Sequence, residues 1–296
     1  MKEVVVISGK GGTGKTSIAA SFAYLGGESV ILADCDVDAA DMHLLMQPDF
    51  AVADYFYSGE LAVIDAKTCI GCGCCEEVCR FNAISVRENI YVVDPLSCEG
   101  CGYCSKICSV GAISNLSRIV GKSYVSGIKT GSKMAHASLK IGADNSGKLV
   151  AEVKKNAKKL AVEKNAEMII VDGSPGIGCP VVSSLSGADY VVLVTEPSVS
   201  GLHDLKRVYA LVKKFRIRAG CIINKYDLNE KLASEIRNLL ASEGIDLIAE
   251  FPYSDIFSHA IGEGKTIPEY NANGPGEMLL VSWNKLKTII NLKPSK

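Results

Sequence analysis

The chain has 296 residues, of which 48% are hydrophobic and 22% are charged, and its formal net charge is -1. This length accommodates one full α/β domain and a small additional module. The near-neutral charge gives no long-range attraction to nucleic acid or anionic lipid, so we expect neither as an obligate partner. No apolar stretch approaches the roughly 20 residues of a membrane-spanning helix, and a strand-like run begins almost at Met1, where a signal peptide would lie. We therefore expect a cytoplasmic protein without stable membrane insertion.

The chain opens with a strand, a glycine-rich loop and a helix. Residues 3–8 are strand-like, residues 17–25 have a helical pattern, and between them stands the loop Gly9-Lys10-Gly11-Gly12-Thr13-Gly14-Lys15-Thr16. The loop fits G-x-x-x-x-G-K-[ST], and its place between a strand and a helix is the context expected of a P-loop. In such a loop the backbone N–H groups bind phosphate oxygens, Lys15 reaches the β- and γ-phosphates, and Thr16 offers a hydroxyl to Mg²⁺. The sequence therefore predicts a nucleotide site at residues 9–16 and the following Ser17.

Strands and helices alternate over most of the chain, which predicts an α/β fold with a doubly wound, mostly parallel sheet. The alternation stops near residue 65, and residues 65–114 are dense in cysteine. Residues 116–148 are rich in Gly, Ser and Lys, and the alternation resumes with a helical pattern at residues 149–164. We therefore expect two domains. Residues 1–64 and 116–296 would form the nucleotide-binding domain, and residues 65–115 would form an inserted α+β domain.

The inserted segment contains two copies of one cysteine motif, C-x₂-C-x₂-C-x₃-C. The second copy repeats the first with a shift of 29 positions. The cysteines are Cys69, Cys72, Cys75 and Cys79 in the first copy and Cys98, Cys101, Cys104 and Cys108 in the second. Such a duplicated run in an intracellular chain favours metal over disulfides. It predicts two [4Fe–4S] clusters, with Cys₄ zinc sites as the alternative.

Lys10 makes the resemblance to a known family specific, because the general P-loop motif does not require this second lysine. The loop resembles the deviant P-loop of the MinD/ParA/Mrp and nitrogenase iron protein class. The whole chain resembles members of this superfamily that carry an inserted two-cluster ferredoxin domain. The resemblance implies a Mg²⁺-dependent ATPase that binds ATP and ADP and acts as a homodimer or as a dimer with a related paralogue. Lys10 would then reach the partner's nucleotide, although a solvated cation beside phosphate is the alternative.

The resemblance also assigns roles to residues outside the loop. Lys10, Lys15, Asp36 and Asp172 would be catalytic, with Asp36 orienting the attacking water. Thr16, Asp36 and Asp172 would hold Mg²⁺, and residues 172–176 would form a switch that responds to the γ-phosphate. Asn224 and Lys225 would contact the adenine base, with an ordinary polar turn as the alternative.

In two-cluster ferredoxins the fourth cysteine of each motif crosses to the other cluster, and the resemblance carries this pattern over. One cluster would use Cys69, Cys72, Cys75 and Cys108, and the other would use Cys98, Cys101, Cys104 and Cys79. Arg80 and Ser109 replace the proline that usually follows the fourth cysteine, which we expect to alter loop rigidity or cluster potential.

Two further cysteines, outside the two sets of four, are candidate metal ligands. Cys74 lies inside the first motif and is either a small filler or an alternate ligand. Cys179 follows Asp172 by seven residues, which matches the switch cysteine of the nitrogenase iron protein. We interpret Cys179 either as a third metal contact or as a buried structural thiol.

These features predict an iron–sulfur ATPase that couples ATP binding and hydrolysis to electron transfer or metallocluster handling for a protein client or redox partner. One alternative is an iron–sulfur carrier or assembly scaffold of the Mrp type. Another is a MinD-like spatial-positioning ATPase, whose last helix would contact a membrane. The apolar residues near 276–290 are better explained as a helix that covers the sheet.

Overall fold

The computed structural model describes residues 1–88, 90–140 and 146–291. The chain forms two compact units. The first, called the α/β unit here, contains Met1–Asp54, Ser123–Ser138 and the described residues from 146 onward. The second, called the cysteine-rich unit, contains Tyr55–Lys122 together with Leu139 and Lys140.

The strands are, in chain order, β1 (Lys2–Ser8), β2 (Val30–Asp34), β3 (Val52–Ile64), β4 (Ile84–Arg87), β5 (Ile90–Val93), β6 (Ile113–Gly127), β7 (Lys133–Leu139), β8 (Met168–Asp172), β9 (Tyr190–Thr195), β10 (Arg218–Asn224) and β11 (Asp246–Phe251). The α-helices are α1 (Lys15–Gly26), α2 (Met42–Met46), α3 (Cys74–Glu77), α4 (Tyr103–Ile107), α5 (Ser146–Glu163), α6 (Cys179–Leu185), α7 (Val199–Lys214), α8 (Glu230–Glu243), α9 (Ile256–Gly262), α10 (Ile267–Tyr270) and α11 (Pro275–Asn291).

A mostly parallel sheet forms the centre of the α/β unit, as the alternation of strands and helices predicts. Its strand order is β11-β10-β9-β1-β8-β2-β7, and the pairs within this order are parallel. Residues 4–7 of β1 are completely buried, because helices cover both faces of such a sheet and its central strands are therefore apolar throughout. The parallel arrangement brings the carboxyl ends of β1, β2 and β8 to one edge, where ligands bind in open α/β sheets.

The last described helix, α11, packs into the core of the α/β unit. Leu279, Trp283 and Leu286 are buried there, and the Trp283 ring lies 5.5 Å from the ring of Phe22 in α1. The prediction that this apolar face covers the sheet is confirmed. Within residues 1–88, 90–140 and 146–291, the structure contains no helix that is long and apolar enough to cross a membrane.

The cysteine-rich unit is wider than the predicted insert of residues 65–115. It also includes residues 55–64 of β3 and residues 116–122 of β6. The physical reason is that these strands do not end where the cysteine motifs begin and end. The backbone N–H of Asp65 donates to the carbonyl of Ala112 (2.8 Å), which joins the end of β3 to the start of β6 inside the unit.

The internal repeat has a structural counterpart at the start of each cysteine motif. Thr68 donates its hydroxyl hydrogen bond to Asp65 (2.5 Å), and 29 positions later Ser97 donates to Asp94 (2.6 Å). Hydrogen bonds from these hydroxyls are the largest cause that lowers the pKa of Asp65 and Asp94 below the usual range. The two halves therefore enter their cysteine motifs through the same side-chain turn.

The two halves differ at one pair of equivalent glycines, Gly71 and Gly100. Both adopt a left-handed backbone, with φ of +70° and +65°. A Cβ on Gly71 would meet open space, whereas a Cβ on Gly100 would stand 2.2 Å from the carbonyl oxygen of Glu60 in β3. The second motif is therefore in tight contact with β3 at a point where the first motif meets no other atom of the described residues.

The two glycines provide a matched pair of substitutions. Gly71→Ala introduces only left-handed backbone strain of about 1–2 kcal/mol. Gly100→Ala introduces the same strain and also a clash with the β3 backbone, and overpacking of this kind costs about 1–3 kcal/mol more. Urea unfolding followed by circular dichroism should therefore rank Gly100→Ala as the less stable variant. Equal free energies of unfolding for the two variants would contradict the packing described here.

Candidate functional site

The glycine-rich loop connects β1 to α1 and is braced from another strand. Gly12 and Gly14 adopt left-handed backbone conformations, with φ of +78° and +91°. Asn224, at the end of β10, donates a side-chain hydrogen bond to the carbonyl of Thr13 (2.9 Å). A Cβ on Gly14 would lie 2.6 Å from this amide nitrogen. The loop therefore needs glycine at position 14 both for its backbone angle and for the close approach of Asn224.

Lys15 is the charged centre of the site. Its side chain is only 6% exposed, and its Nζ atom lies 2.7 Å from Asp172 Oδ1 and 3.3 Å from Asp36 Oδ2. Burial by itself lowers the pKa of Lys15, but Asp172 and Asp36 outweigh burial and hold the pKa above its usual value. Three of the four residues predicted to be catalytic, Lys15, Asp36 and Asp172, thus lie together at the carboxyl edge of the sheet.

Asp34, which the sequence analysis did not assign to the site, is a third carboxylate beside Lys15. It is buried at the end of β2 and accepts a hydrogen bond from the backbone N–H of Asp36 (3.1 Å). Burial and the neighbouring Asp172 raise the pKa of Asp34 well above its usual value. Burial also raises the pKa of Asp36, although Lys15 opposes this shift. The only sequence signal for Asp34 is its position at the end of an apolar strand.

The carboxylates at this edge have the donor chemistry that Mg²⁺ requires. Asp172 Oδ2 is buried and has no hydrogen-bond partner among the described residues, so it is available to a cation or to a water on a cation. Thr16 lies beside the same lysine, with its hydroxyl 3.3 Å from Lys15 Nζ. Mg²⁺ keeps several waters and takes few protein ligands, so Asp172, Asp36 and Thr16 fit a hydrated ion bound with phosphate.

Lys10 does not point into this carboxylate group. Its Nζ atom lies 2.7 Å from Glu196 and donates hydrogen bonds to Ser198 (2.9 Å) and Ser200 (3.0 Å). Glu196 also pairs with Lys225 (3.2 Å), and although its partial burial favours the neutral acid, the two lysines hold its pKa below the usual range. Sequence reasoning missed Glu196, whose signal is again a position just after a strand, here β9.

A cavity on the other side of the loop is the candidate site for a nucleotide base. Its lining consists of Gly12, Gly14, Ser17, Asn224, Lys225, Tyr253, Ser254, Phe257, Ser258 and Ile261. Two hydrogen bonds fix the Asn224 side chain, because Oδ1 accepts from the N–H of Lys225 (3.0 Å) and the amide nitrogen donates to Thr13 (2.9 Å). One amide N–H and one oxygen lone pair remain for a ligand. The segment after β11 supplies further lining residues that the sequence analysis missed.

The eight motif cysteines line two separate cavities in the cysteine-rich unit. The first cavity is lined by Cys69, Cys72, Cys75 and Cys108 and the second by Cys98, Cys101, Cys104 and Cys79. Each cavity thus combines three cysteines of one motif with the fourth cysteine of the other. Within residues 1–88, 90–140 and 146–291, no three His, Cys, Asp or Glu side chains converge closely enough to hold a single metal ion.

Backbone N–H groups point at the crossing cysteines in both halves. The N–H of Ala83 donates to Cys79 Sγ (3.4 Å), and the N–H of Ala112 donates to Cys108 Sγ (3.3 Å). These pairs are related by the 29-residue repeat. The backbone therefore contacts the sulfur of the crossing cysteine in the same way in both halves.

Cys179 is exposed at the start of α6, so the interpretation as a buried structural thiol is wrong. It lies beside the first residues of α5, since a Cβ on Gly147 would stand 3.2 Å from Cys179 Cβ. Cys74 is also exposed. It lies at the start of α3 and lines the first cavity. An exposed side chain does not fill the core, so the interpretation as a small filler is not supported.

The fold and the sequence both have known relatives. The model of the CobQ/CobB/MinD/ParA nucleotide binding domain matches residues 4–267. One uncharacterized protein of Methanocaldococcus jannaschii is 35% identical over 230 residues, which cover 77% of this chain and 79% of the relative. A second uncharacterized protein of the same organism is 30% identical over 234 residues, which cover 78% and 82%.

Two solved structures illustrate the likeness in fold. The cell division ATPase MinD of Pyrococcus furiosus gives a TM-score of 0.58 at 17% identity, over 97% of this chain and 99% of that chain. The septum site-determining protein MinD of Pyrococcus horikoshii, complexed with Mg-ADP, gives 0.57 at 19% identity, over 98% and 97%. Identities of this size support a shared fold and nothing finer.

The raised pKa of Asp34 leads to a stability prediction for the nucleotide-free protein. The folded state favours the protonated carboxyl of Asp34. This group therefore contributes most to stability below its unfolded pKa, and the contribution is lost as the pH rises through the raised pKa of the folded state. Asp34→Asn keeps the oxygen that accepts from Asp36 and removes the charge. We expect it to be more stable than the parent at neutral pH, by about 1.4 kcal/mol per unit of pKa shift, and the gain to shrink toward pH 4.

Thermal unfolding at several pH values, without nucleotide or Mg²⁺, measures this difference. Asp38→Asn is the control, because Asp38 lies two residues after Asp36 and is exposed. If Asp34→Asn and Asp38→Asn change the stability equally at every pH, the claim that the buried charge of Asp34 destabilises the fold is wrong.

Proposed function

The chain belongs to the CobQ/CobB/MinD/ParA family of nucleotide-binding domains, and we propose that it is an iron–sulfur ATPase. In this proposal a dimer binds and hydrolyses ATP, and the cycle is coupled to electron transfer or metallocluster handling for a protein client. The observation that carries the coupling is the pair of cavities lined by crossed sets of four cysteines in a chain that also has a P-loop.

Lys15 and its carboxylate partners support the ATPase half of the proposal. In the free protein, Asp172 and Asp36 neutralise the buried ammonium group of Lys15. The phosphates of ATP bind the same ammonium group, so the carboxylates are then released toward Mg²⁺ and water. Asp36 would accept a hydrogen bond from the attacking water and orient it. Asp172, Asp36 and Thr16 would hold Mg²⁺, which would supply charge neutralisation to the phosphates.

The contacts of Lys10 support a role outside its own nucleotide site. Glu196, Ser198 and Ser200 hold its ammonium group on the side of the loop away from Asp36 and Asp172. The side chain is 27% exposed, so it is within reach of a second chain. In a dimer, Lys10 would exchange these partners for the phosphate of the opposite nucleotide, which adds positive charge where negative charge develops.

The two cysteine cavities support binding of two [4Fe–4S] clusters. In a [4Fe–4S] cluster each of the four irons would take one thiolate, so the four sulfurs need not converge on one point. The ligands of a single zinc ion, in contrast, must converge on that ion. Cys69, Cys72, Cys75 and Cys108 would hold one cluster, and Cys98, Cys101, Cys104 and Cys79 would hold the other. The clusters would supply one-electron redox chemistry. The N–H donors of Ala83 and Ala112 would raise the cluster potentials by stabilising charge on sulfur.

The order of these parts along the chain supports coupling between them. The cysteine-rich unit is inserted between Asp36 and Asp172, the two acidic residues proposed to respond to phosphate. Both chain connections of the insert therefore lead to a segment whose contacts change with the nucleotide.

A MinD-like positioning ATPase is the second candidate, and the likeness in fold to the two MinD structures favours it. This candidate gives no role to the eight cysteines. It also calls for a membrane-contacting segment, whereas most apolar residues of α11 are used in the core and only Leu280 and Val281 among the apolar residues of the described helix are exposed. Nucleotide-dependent binding to anionic liposomes, together with absence of iron, would establish this candidate in place of the first.

Crossed ligation predicts different outcomes for two double substitutions. Cys108→Ala with Cys69→Ala removes two ligands of one cluster, so anaerobically purified protein should keep about four of about eight irons. Cys108→Ala with Cys98→Ala removes one ligand from each cluster, so both should be lost or weakened. Iron and acid-labile sulfide analysis with EPR of the reduced protein measures this. The reverse order would show ligation motif by motif, and parent protein with only zinc would contradict the proposal.

Action of Lys10 across a dimer predicts that two inactive variants complement each other. A Lys10→Ala chain binds ATP but offers no clamp, and a Lys15→Ala chain offers Lys10 but does not hold ATP. Either variant alone should lose at least about 10³-fold in ATPase rate, by analogy with other trans-acting cations. A mixture should recover part of the parent rate, with a maximum near equal amounts. A mixture that shows only the sum of the two residual rates would place the action of Lys10 within its own chain.

A further inference from the structure

A groove on the cysteine-rich unit has no role in the function proposed above. It has a volume of about 380 Å³ and is lined by Val78, Arg80, Phe81, Cys101 and Tyr103. Phe81 and Tyr103 are large aromatic side chains that are 45% and 54% exposed. Of the five residues described as lining the groove, Arg80 alone carries a charge, and it is exposed.

The groove adjoins the second cysteine cavity. Val78, Phe81, Cys101 and Tyr103 line both the groove and the cavity that contains Cys79, Cys98, Cys101 and Cys104. Cys101 is exposed, so a molecule in the groove would touch a ligand of the second proposed cluster.

The internal repeat shows that the groove is specific to one half of the unit. The 29-residue shift relates Arg80, Phe81 and Tyr103 to Ser109, Val110 and Cys74 in the equivalent position beside the other cavity. The two halves thus share their cysteine pattern and differ in these flanking residues. A guanidinium and two aromatic rings stand on one side where a hydroxyl, an isopropyl group and a thiol stand on the other. Cluster binding alone does not call for this difference, because it requires the same cysteines in both halves.

We propose that this groove binds a planar aromatic anion, of the class of flavin mononucleotide, at the second cluster site. Exposed aromatic side chains favour a flat ring system, and Arg80 forms charge-assisted, bidentate hydrogen bonds with a phosphate. The groove volume is within the range of about 300–1,000 Å³ that small-molecule sites have. The inference rests on the proposed function, since a redox-active ring in this place would exchange electrons with the cluster held by Cys101.

The test is a titration of the anaerobically purified protein with flavin mononucleotide, followed by flavin fluorescence. Saturable quenching is expected. Arg80→Ser, which copies the residue of the other half, should weaken binding by about tenfold or more, because a hydrogen bond to a charged group contributes about 1.5–3 kcal/mol. Riboflavin has the same ring without the phosphate, so its binding should be equal in the parent and in Arg80→Ser. Phe81→Val, which introduces the residue found in the other half, should lower the affinity for both flavin mononucleotide and riboflavin.

Lys106→Ser is the matched control, because it removes one exposed positive charge from α4 outside the groove, and it should leave both affinities within about twofold. A flavodoxin loaded with flavin mononucleotide forms a second arm. Arg80-dependent binding of the flavodoxin without binding of the free nucleotide would identify a protein-borne flavin as the source. No binding of either, or binding that Arg80→Ser and Phe81→Val leave unchanged, would overturn the proposal.

Iron and sulfide analysis of the same samples separates this inference from the proposed function. Protein that holds two clusters and binds no flavin would refute the groove site and leave the iron–sulfur assignment intact. Protein without clusters that still binds flavin through Arg80 would refute the iron–sulfur assignment and leave the groove as a binding site. Circular dichroism of each variant verifies that the unit is folded.

Discussion

The buried ion pair of Lys15 with Asp172 is the interaction on which the α/β unit depends. An ammonium group buried without a partner would lose its proton or cost several kcal/mol. The pair joins α1, which begins at Lys15, to the end of β8, and Asp36 adds a contact from the segment after β2. In the proposed ATPase, the phosphates of ATP compete with these carboxylates for Lys15. Nucleotide binding would then change the contacts of the segments on both sides of the cysteine-rich unit.

A second charge cluster follows the same logic on the other side of the loop. Glu196 lies between Lys10 and Lys225 and compensates both of them. The free protein therefore keeps each lysine of the glycine-rich loop beside an acidic residue, Lys15 with Asp172 and Lys10 with Glu196. Since two separate carboxylates hold the two lysines, a phosphate in the chain's own site can release Lys15 while Lys10 stays with Glu196. This separation is what a lysine needs if it is to act on a second chain.

The cysteine-rich unit combines a duplicated interior with unequal surroundings. The turns at Asp65 and Asp94, the N–H donors to the crossing cysteines and the two similar cavities all follow the repeat. Gly100 is pressed against β3 and Gly71 is open, and only one half carries Arg80 and Phe81. The shared features position the same set of four cysteines around each cavity. The differences give each cavity its own neighbours.

The sequence by itself determined the features that depend on short, contiguous segments. The P-loop, the two cysteine motifs and each strand or helix of the alternating pattern lie within one short segment, so local geometry constrains them strongly. Tertiary structure decided the features that join distant segments. Asp34 and Asp172 meet because β2 and β8 are neighbours, Glu196 reaches Lys10 across 186 positions, and the insert widens because β3 and β6 extend beyond the cysteines. No local pattern encodes these contacts, because they follow from strand order, which only the packed sheet establishes.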